Sequence, residues 1–510
     1  MTTMPATTPM PRRVRNLRFL TVLQIAALVV LFSAGALQEA RHLQSLTDPS
    51  VWLQLRTGNW ILDHHSVPRS GLFSRFDALR WTDSNWGSQV ILAALYRTMG
   101  LRALPAMQMA FRILVAIATF LLAGGRRGGF WLAAVLSICA QTVIFHSLTQ
   151  SLLFSAVLFS MELWLLFTSR ATGRQVLLSW MPLLVLVWAN MDWHFVFGLL
   201  VLLLFLCAAA VEQALGNKMY AHAGARLALG RVAMIAVASC IASLLSPYSY
   251  HSYAVAWQNW FGRTVLALTP EMKAMNFRAP EHYLLMLLAM FAFLALGRQH
   301  AKDPFKVMLL AVSASAGFSF QREAWMIVVA SVAILGDVFF PAGGRPDEPS
   351  HTLKPAFWAA AAIALIVLVA AASHVPSRTE TLLEVTAQKL PVRACDFIRQ
   401  NHLPAPIYNE LSWGDFLIWY LPNYPVSMDD RYELYGEENV KLYYQASAGS
   451  RLPSQYPALA SANTILISAD NGLVRVPQMF PNAEEVFHTA LPGFQQVYRD
   501  DLAVVLSKQR

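Results

Sequence analysis

The first 373 residues contain a series of apolar runs, several of them long enough to cross a lipid bilayer. A helix needs roughly 17–25 mostly apolar residues to span the hydrocarbon core. These runs are continuously apolar rather than alternating, which indicates helices and not barrel strands. Only 14% of the 510 residues are charged, whereas soluble domains carry about 25%. The sequence therefore predicts an α-helical polytopic membrane protein.

About eleven transmembrane helices are predicted. The first follows an arginine-rich N-terminus and has an apolar run of about 19 residues, which exceeds the core of a signal peptide. We expect an uncleaved first span, and the small residues 33–36 leave cleavage open as the alternative. The predicted spans are 18–37, 104–123, 129–145, 149–168, 176–191, 195–214, 231–246, 281–297, 305–320, 324–340 and 355–373.

The connections between these spans alternate in charge. Residues 1–373 hold 28 Lys and Arg against 15 Asp and Glu, whereas residues 374–510 hold 11 and 15. Basic connections such as Arg126-Arg127 face the cytoplasm by the positive-inside rule. The sequence therefore predicts a bacterial inner (plasma) membrane protein with a cytoplasmic N-terminus and a periplasmic C-terminus. The basic excess indicates topology and lipid contact, and no nucleic-acid partner is expected.

Two domains are predicted: a membrane domain over 1–373 and an extracytoplasmic α/β domain over 374–510. Within the first, 38–103 forms a large outer loop in which Asp48-Pro49 begins one helix and 88–99 forms a second, interfacial one. The tail alternates strands with helices, which predicts a small parallel or mixed sheet. Its predicted helices are 391–401 and 412–421, and its predicted strands are 406–409, 425–428, 464–467, 494–499 and 502–506.

Polar and aromatic side chains gather at the predicted outer helix ends, where ionisable groups suggest function. The candidates are Asp48, Asp83, Asn190, His194, Glu271, Arg322, Trp52 and Trp86. Each has a structural alternative that the sequence leaves open. These alternatives are a helix cap for Asp48, a solvated loop position for Asp83, helix-end bonding for Asn190 and His194, an ion pair between Glu271 and Arg322, and an interfacial aromatic belt for the tryptophans.

A lipid-linked sugar keeps its tail in the bilayer and its sugar just outside it. An enzyme acting there needs a carboxylate to take the acceptor proton and a cation to stabilise the departing phosphate. It also needs aromatic rings for the sugar and an apolar groove for the tail. Asp48 and Arg322 supply the first two by residue type and predicted side.

Several segments resemble the bacterial GT-C-type integral membrane glycosyltransferases. The matching segments are 48–55, 58–62, 67–68, 73–74, 81–96, 188–190, 247–248, 409–421, 428–431 and 498–505, together with Glu271 and Arg322. The resemblance implies a GT-C-like fold in which Asp48 is the catalytic carboxylate. It implies transfer of a sugar from a polyprenyl-phosphate-linked donor to a glycan, lipid or protein acceptor.

The sequence also departs from that family's pattern. Ser84-Asn85 stands where relatives often have His-Glu, and Ser246-Pro247-Tyr248-Ser249 stands where they often have Asn-Pro-Tyr-Gly. The Asn-Leu-His-Gly pattern becomes 190–194 with its histidine displaced. A second first-loop carboxylate is therefore missing unless Asp83 replaces it. No cofactor is certain, and a divalent metal, Mg or Mn, is left open.

The tail contributes a second set of candidates for acceptor binding. They are Asn409, Trp413, Gly414, Asp429, Asp430 and Arg431. The segment 412–416 faintly resembles the Trp-Trp-Asp-Tyr-Gly segment of oligosaccharyltransferase catalytic subunits, which helps to bind the acceptor. The alternative is a helix-start turn that packs on the core of the tail domain.

Two rival functions remain open at this level. A non-catalytic membrane protein could keep the GT-C fold and bind or handle glycan, which the missing first-loop carboxylate favours. A transporter is the other rival, although the polar candidates cluster at one face and not at the bilayer midplane. An unchanged glycan output after Asp48→Asn would favour the first, and uptake by reconstituted vesicles would favour the second.

Overall fold

The computed structural model describes residues 12–147, 150–215, 228–262, 272–299, 303–341, 353–448, 456–478 and 491–508. Helices dominate these segments. In chain order the α-helices are α1 (Arg12–His42), α2 (Ser50–His64), α3 (Trp86–Met99), α4 (Ala103–Leu122), α5 (Phe130–Ser147), α6 (Gln150–Thr172), α7 (Met181–Met191), α8 (Phe195–Leu215), α9 (Leu229–Ser243), α10 (His251–Phe261), α11 (Pro280–Arg298), α12 (Pro304–Ser319), α13 (Ala324–Phe339), α14 (Leu353–His374), α15 (Thr379–Thr386), α16 (Val392–Gln400), α17 (Gly414–Tyr420), α18 (Tyr432–Ser447), α19 (Pro457–Ala460) and α20 (Gly472–Gln478).

Within the described residues, eleven helices lie at the predicted spans: α1, α4 to α9 and α11 to α14. Six stretches are long and apolar enough to cross a membrane, and shorter apolar helices lie between them. Helix α13 is the centre of the bundle, because residues 324–337 are all buried. Helices at the periphery keep large apolar side chains such as Val30, Val135 and Val237 exposed, as lipid contact requires. The chain is a multi-pass membrane protein, as the sequence predicted.

The outer loop between α1 and α4 is built from α2 and α3. The two helices cross so closely at Gly58 that a Cβ atom there would lie 2.1 Å from the carbonyl oxygen of Gln89. A short turn of 3-10 helix, Gly100–Arg102, then joins α3 to α4. Both helices lie where the sequence placed them. Helices α10 and α15 were not predicted, because each is short and lies in a segment with a weak apolar period.

The tail contains a four-stranded mixed sheet in the order β1-β2-β4-β3. Its strands are β1 (Ile407–Asn409), β2 (Thr464–Ser468), β3 (Phe494–Arg499) and β4 (Ala503–Lys508). Strand β1 pairs with β2 in parallel, and the other two pairings are antiparallel. The predicted strand 425–428 was wrong. Val426 forms an isolated bridge with Ser74 of the outer loop, so this segment pairs outside the sheet.

The tail docks directly on the outer loop. The Val426 amide donates to the Phe73 carbonyl at 3.1 Å, and the Arg75 amide donates to the Val426 carbonyl at 3.0 Å. Trp52 of α2 lies fully buried against Phe416 of α17, with ring centroids 5.4 Å apart. These contacts fix the tail and the outer loop at one end of the helix bundle, which we call the outer end. One of the two cavities described below opens between them.

Candidate functional site

Asp48 lies between a 3-10 turn, Gln44–Thr47, and the start of α2. Its Oδ1 atom accepts hydrogen bonds from the Ser50 amide at 3.0 Å and from the Ser50 hydroxyl at 2.8 Å. The bond to the amide satisfies one of the free donors at the helix start, as a cap does. The side chain is only half-buried and borders two cavities. Helix capping and cavity lining therefore occur at the same carboxylate.

The first cavity, the apolar groove, has a volume of about 1360 Å³. It runs between α1 and α5 past exposed apolar residues such as Val30, Val135 and Ile138. Its lining also includes Asp48, Arg112 of α4 and Lys389 of the tail. The groove therefore combines a lipid-compatible wall with cations in its lining.

The second cavity, the outer cleft, has a volume of about 520 Å³ and lies between the outer loop, the connection before α13 and the tail. Asp48 and Arg322 both line it, so the structure brings the two principal candidates to one cavity. The other charged and aromatic residues of its lining are Trp81, Asp83, Trp193, Glu410, Asp415, Asp430, Arg431, Tyr432, Glu433, Tyr443 and Tyr444.

Asp83 lines the outer cleft with its carboxyl group almost fully buried. Oδ1 accepts hydrogen bonds from the Asn85 amide at 3.1 Å and from the Gln89 side chain at 2.9 Å. Oδ2 has no hydrogen-bond partner among the described residues. Burial raises the pKa of Asp83 to about 7, against the opposing effect of these bonds and of Arg431. Asp83 is therefore buried, and the alternative of a solvated loop position is wrong for this residue. Its carboxyl group titrates near neutral pH.

His194 lies directly behind the cleft and is fully buried. One ring nitrogen pairs with Asp192 at 2.7 Å, and the other contacts Glu323 at 3.1 Å. Burial alone would lower the pKa of His194, but the two carboxylates outweigh it and raise the pKa to about 9. Glu323 precedes α13 and follows Arg322 in the chain. The charged histidine therefore holds the connection that carries Arg322, and it does not line the cleft itself.

Three other candidates, Trp86, Asn190 and Trp52, connect elements of the fold and line neither cavity. Trp86 donates its indole N–H to Asn190 at 3.1 Å, which ties α3 to α7, and neither lines a described cavity. Trp52 donates to the Leu46 carbonyl at 3.3 Å and is buried against the tail. Its burial leaves no ring face for a sugar, so the predicted stacking role does not fit this position. Glu271 lies outside the described residues.

The tail candidates divide into two groups. Asp430 and Arg431 line the outer cleft. Asp429 is buried and forms a two-point ion pair with Arg431, with contacts of 2.6 and 2.9 Å. Its negative charge outweighs the effect of burial and raises the pKa of Arg431 further. The guanidinium also lies 4.6 Å from the centre of the Trp81 ring. Arg431 therefore joins the tail to the outer loop as well as lining the cleft.

The remaining tail candidates build the support for this segment. Asn409 is buried and donates to the carbonyls of Glu410 and Met428 at 2.8 Å each. At Gly414 a Cβ atom would lie 2.3 Å from the Met428 carbonyl, so the close approach requires glycine. Trp413 is buried in the core, which agrees with the helix-start alternative. These three residues position the cleft wall without lining it.

Several lining residues were not predicted. Lys389 carried no local motif. Glu410 and Asp415 come from one tail segment, and Glu433 comes from another. Burial raises the pKa of Asp415 well above its usual range, and the neighbouring Asp430 raises it further. The one available signal was the position of these acids beside predicted candidates in the chain.

The described residues include no group of three or more His, Cys, Asp or Glu side chains arranged to hold a metal ion. Some of the cleft carboxyls have protein partners instead. Glu410, for example, accepts hydrogen bonds from Asn471 at 2.8 Å and from the Ser468 amide at 3.2 Å. The described residues therefore supply no such donor set, and no chemical step is assigned to a metal. Dependence on Mg or Mn stays a prediction.

Comparison with known proteins was made at three levels. No protein-family model and no curated protein sequence matches the chain. Among solved structures, the chain is similar to the archaeal oligosaccharyltransferase AglB from Archaeoglobus fulgidus in complex with an inhibitory peptide and a dolichol-phosphate. The TM-score is 0.54 at 10% identity, over 90% of this chain and 70% of that one.

A second structure of the Archaeoglobus fulgidus oligosaccharyltransferase, tethered with an acceptor peptide, gives a TM-score of 0.51 at 11% identity over 97% of this chain and 74% of that one. ArnT from Cupriavidus metallidurans bound to undecaprenyl phosphate gives 0.44 at 14% identity over 95% and 97%. At these identities the likeness shows the fold alone. The predicted fold, a polytopic helical bundle with a C-terminal α/β domain, is confirmed, and it is similar to the fold of these oligosaccharyltransferase structures.

Proposed function

We propose that this protein is a membrane glycosyltransferase that transfers a sugar from a polyprenyl-phosphate-linked donor to an extracytoplasmic acceptor. One observation carries the proposal. Asp48 borders both the apolar groove and the outer cleft, and Arg322 lines the same cleft. A lipid-linked substrate has one apolar and one polar half, and a carboxylate at the junction of two such cavities lies where the halves meet.

The apolar groove is the site proposed for the polyprenyl chain. Its wall between α1 and α5 is apolar and exposed on the lipid-facing side. Lys389 of the tail lines the groove and is exposed, so it can meet a phosphate. Arg112 is buried in the same lining, 3.3 Å from Glu39 and 2.8 Å from Gln44. The lining thus contains one exposed and one buried cation.

The transfer step follows from these positions. The Asp48 carboxylate takes the proton of an acceptor hydroxyl, and the hydroxyl oxygen then attacks the anomeric carbon of the donor sugar. The bond from that carbon to the phosphate oxygen breaks, and polyprenyl phosphate leaves. Arg322 stabilises the negative charge on the leaving phosphate. The Ser50 amide and hydroxyl hold one oxygen of Asp48 and keep the carboxylate oriented.

The buried network behind the cleft supports Arg322 in this role. Ser155 donates its hydroxyl to Asp192, Asp192 pairs with His194, and His194 contacts Glu323. Trp193 stacks on His194 with a centroid separation of 3.8 Å and lines the cleft. The preorganised loop limits the reorganisation that the phosphate would otherwise require.

The same arrangement defines the proposed topology. The tail docks at the outer end, where Asp48 and Arg322 lie, so the site and the tail share a compartment. Basic connections such as Arg126-Arg127 lie at the other end of the bundle, which we call the basic end, and the positive-inside rule favours the cytoplasm for that end. We place the protein in a bacterial inner membrane with its N-terminus cytoplasmic and its tail periplasmic. An alkaline phosphatase fused after residue 510 should be active, and an inactive fusion contradicts this orientation.

The test of the proposed activity uses a bacterial strain in which this chain is supplied as the sole copy. Asp48→Asn should lower the transfer rate about 10²–10⁴-fold, the loss expected when a general base is removed. The polyprenyl-phosphate-linked sugar should then accumulate, and lipid mass spectrometry would measure and identify it. Arg322→Ala should lower the rate about 10²–10³-fold.

Matched controls come from the same end of the bundle. Asp63 of the outer loop is exposed and lines neither cavity, so Asp63→Asn should leave the lipid pool unchanged. Arg278 is exposed near the outer end, and Arg278→Ala should behave likewise. Normal lipid-linked sugar levels in the Asp48→Asn strain, at unchanged protein abundance, would contradict the enzymatic proposal and favour a glycan-handling role.

A further inference from the structure

The outer cleft has an unbalanced set of charges. Its lining among the described residues holds six carboxyl groups and two guanidinium groups. The carboxyl groups come from three separate parts of the chain: the outer loop, the segment around Glu410 and Asp415, and the segment around Asp430 and Glu433. One guanidinium, that of Arg431, is already paired with Asp429 behind the lining. Carboxyl groups therefore outnumber cationic groups in this lining by six to two.

Aromatic rings accompany these acids. Tyr432 and Tyr444 line the cleft and are half-buried, so part of each ring is accessible. Trp81 and Trp193 are more deeply buried in the same lining. Carboxyl oxygens accept hydrogen bonds from hydroxyl groups, and aromatic rings offer apolar surface with directional preferences. A sugar presents hydroxyl groups on its edges and C–H groups on its faces, and both find partners here.

An unfilled acceptor also points to a ligand. Asp83 is 3% exposed, lines the cleft, and its Oδ2 atom has no hydrogen-bond partner among the described residues. A buried polar atom without a partner costs free energy that a ligand donor can recover. Asp415 is also buried in the lining and accepts the Asp430 amide at 3.3 Å. At about 520 Å³ the cavity falls in the usual range for small-molecule sites.

We infer that the outer cleft binds the acceptor and selects a glycan that carries no carboxylate, phosphate or sulfate group. The inference rests on the proposed function and adds the substrate class. Hydroxyl or amino groups of the acceptor donate to the cleft carboxyls, whereas an anionic sugar meets like charges at close range, which suppresses its binding. Arg322 in the same lining serves the donor phosphate in this scheme.

The test measures binding by the purified full-length protein, without donor, so it does not depend on turnover. Three tetrasaccharides of similar size serve as probes in isothermal titration at pH 7.5 and low salt: maltotetraose, the glucosamine tetramer and tetragalacturonate. The neutral or the amine-bearing probe should bind at least about tenfold more tightly than tetragalacturonate, a difference of about 1.4 kcal/mol. Added salt should narrow the difference, because screening weakens like-charge repulsion.

A charge-reversal variant connects the selectivity to the cleft. Asp430 is exposed in the lining, and Asp430→Lys should improve binding of tetragalacturonate at least about fivefold, roughly 1 kcal/mol. Glu438 is exposed on α18 but lies outside the lining, so Glu438→Lys is the matched control. This variant should leave the affinity for each of the three probes unchanged. An equal gain in both variants would indicate a general charge effect and overturn the assignment to the cleft.

Equal binding of the three probes, tighter binding of tetragalacturonate, or no saturable binding of any probe would each overturn the inference. Failure of the transferase proposal has a different signature, because it is read from the lipid-linked sugar pool in the Asp48→Asn strain. A protein that selects non-anionic glycans but leaves that pool unchanged would retain the inference and lose the enzymatic proposal.

Discussion

The two ends of the helix bundle both contain buried charges, but they use them differently. At the basic end, Arg170 of α6 contacts Asp303 at 2.9 and 3.1 Å, and Lys306 contacts Asp337 at 2.7 Å. Asp303 also accepts the backbone amides at the start of α12. At the outer end, Asp48, Asp83 and Arg322 line open cavities.

This difference separates structural charges from charges available to a ligand. Buried ions are tolerated when a partner of opposite sign and hydrogen bonds compensate their desolvation. At the basic end Asp303 pairs with Arg170 and Asp337 pairs with Lys306, so these charges fix helix positions. At the outer end the buried Asp83 forms no ion pair with a described residue, and its Oδ2 atom has no hydrogen-bond partner in the described structure. A substrate can supply this partner, which is why we assign function to this end alone.

The largest expected effect comes from removing one partner of a buried ion pair at the basic end. Arg170→Ala would leave Asp303 and Glu212 of α8 without their main partner. Removing one partner of a buried ion pair typically costs about 3–5 kcal/mol, so thermal unfolding in detergent should begin at a clearly lower temperature. Arg174→Ala is the control, since Arg174 is exposed two residues beyond the end of α6. Unchanged stability of the Arg170 variant would remove the contrast between the ends.

The next effect concerns pH and the network behind the outer cleft. The pKa of His194 rises from 6.5 to about 9 in the folded protein, so protonation stabilises the fold. This contribution is fully present below pH 6.5 and is lost as the pH rises through 9. The stability difference between the native protein and His194→Gln should therefore shrink by about 3 kcal/mol between pH 6 and pH 10. Paired unfolding curves at both pH values measure it.

A difference that stays constant with pH would mean that His194 is neutral in the fold. The buried carboxylates Asp192 and Glu323 would then have no cation between them, and Arg322 would lose the support we assign to it.

A smaller effect sharpens the contrast at the apolar groove. Val135→Trp places a large side chain on the groove wall and should weaken binding of a dansyl-labelled polyprenyl phosphate about tenfold, or 1.4 kcal/mol. Val237 of α9 is similarly exposed to lipid but does not line the groove, so Val237→Trp should have no effect. Fluorescence titration in proteoliposomes distinguishes the two, and equal weakening would indicate a nonspecific membrane effect.

Much of the fold was predictable because membrane helices are encoded locally. Continuous apolar runs and alternating basic connections placed eleven helices, including the short α9 and the buried α13. Four tail strands followed from period and turn residues. The error at 425–428 arose because strand propensity does not specify a partner. The partner of Val426 is the outer loop, more than 300 residues away in the chain.

The candidate site was predictable only in part, because its members meet through long-range packing. Residue type and predicted side assigned Asp48 and Arg322 to one site, and both line one cleft in the structure. The sequence could not distinguish Trp52, which is buried under the tail, from Trp81, which lines the cleft. Lys389 and Glu433 depend on how the tail docks, and no local pattern encodes that geometry.

The central claim is that Asp48 lies where a lipid-borne phosphate emerges from the apolar groove. The most direct test is photocrosslinking with polyprenyl phosphates that carry a diazirine either beside the phosphate or within the lipid tail, followed by peptide mass spectrometry. The phosphate-side probe should label the segments around Asp48 and Arg322, and the tail probe should label α1 and α5. Labelling by the phosphate-side probe at the basic end, or on α9 away from both cavities, would contradict this position of Asp48.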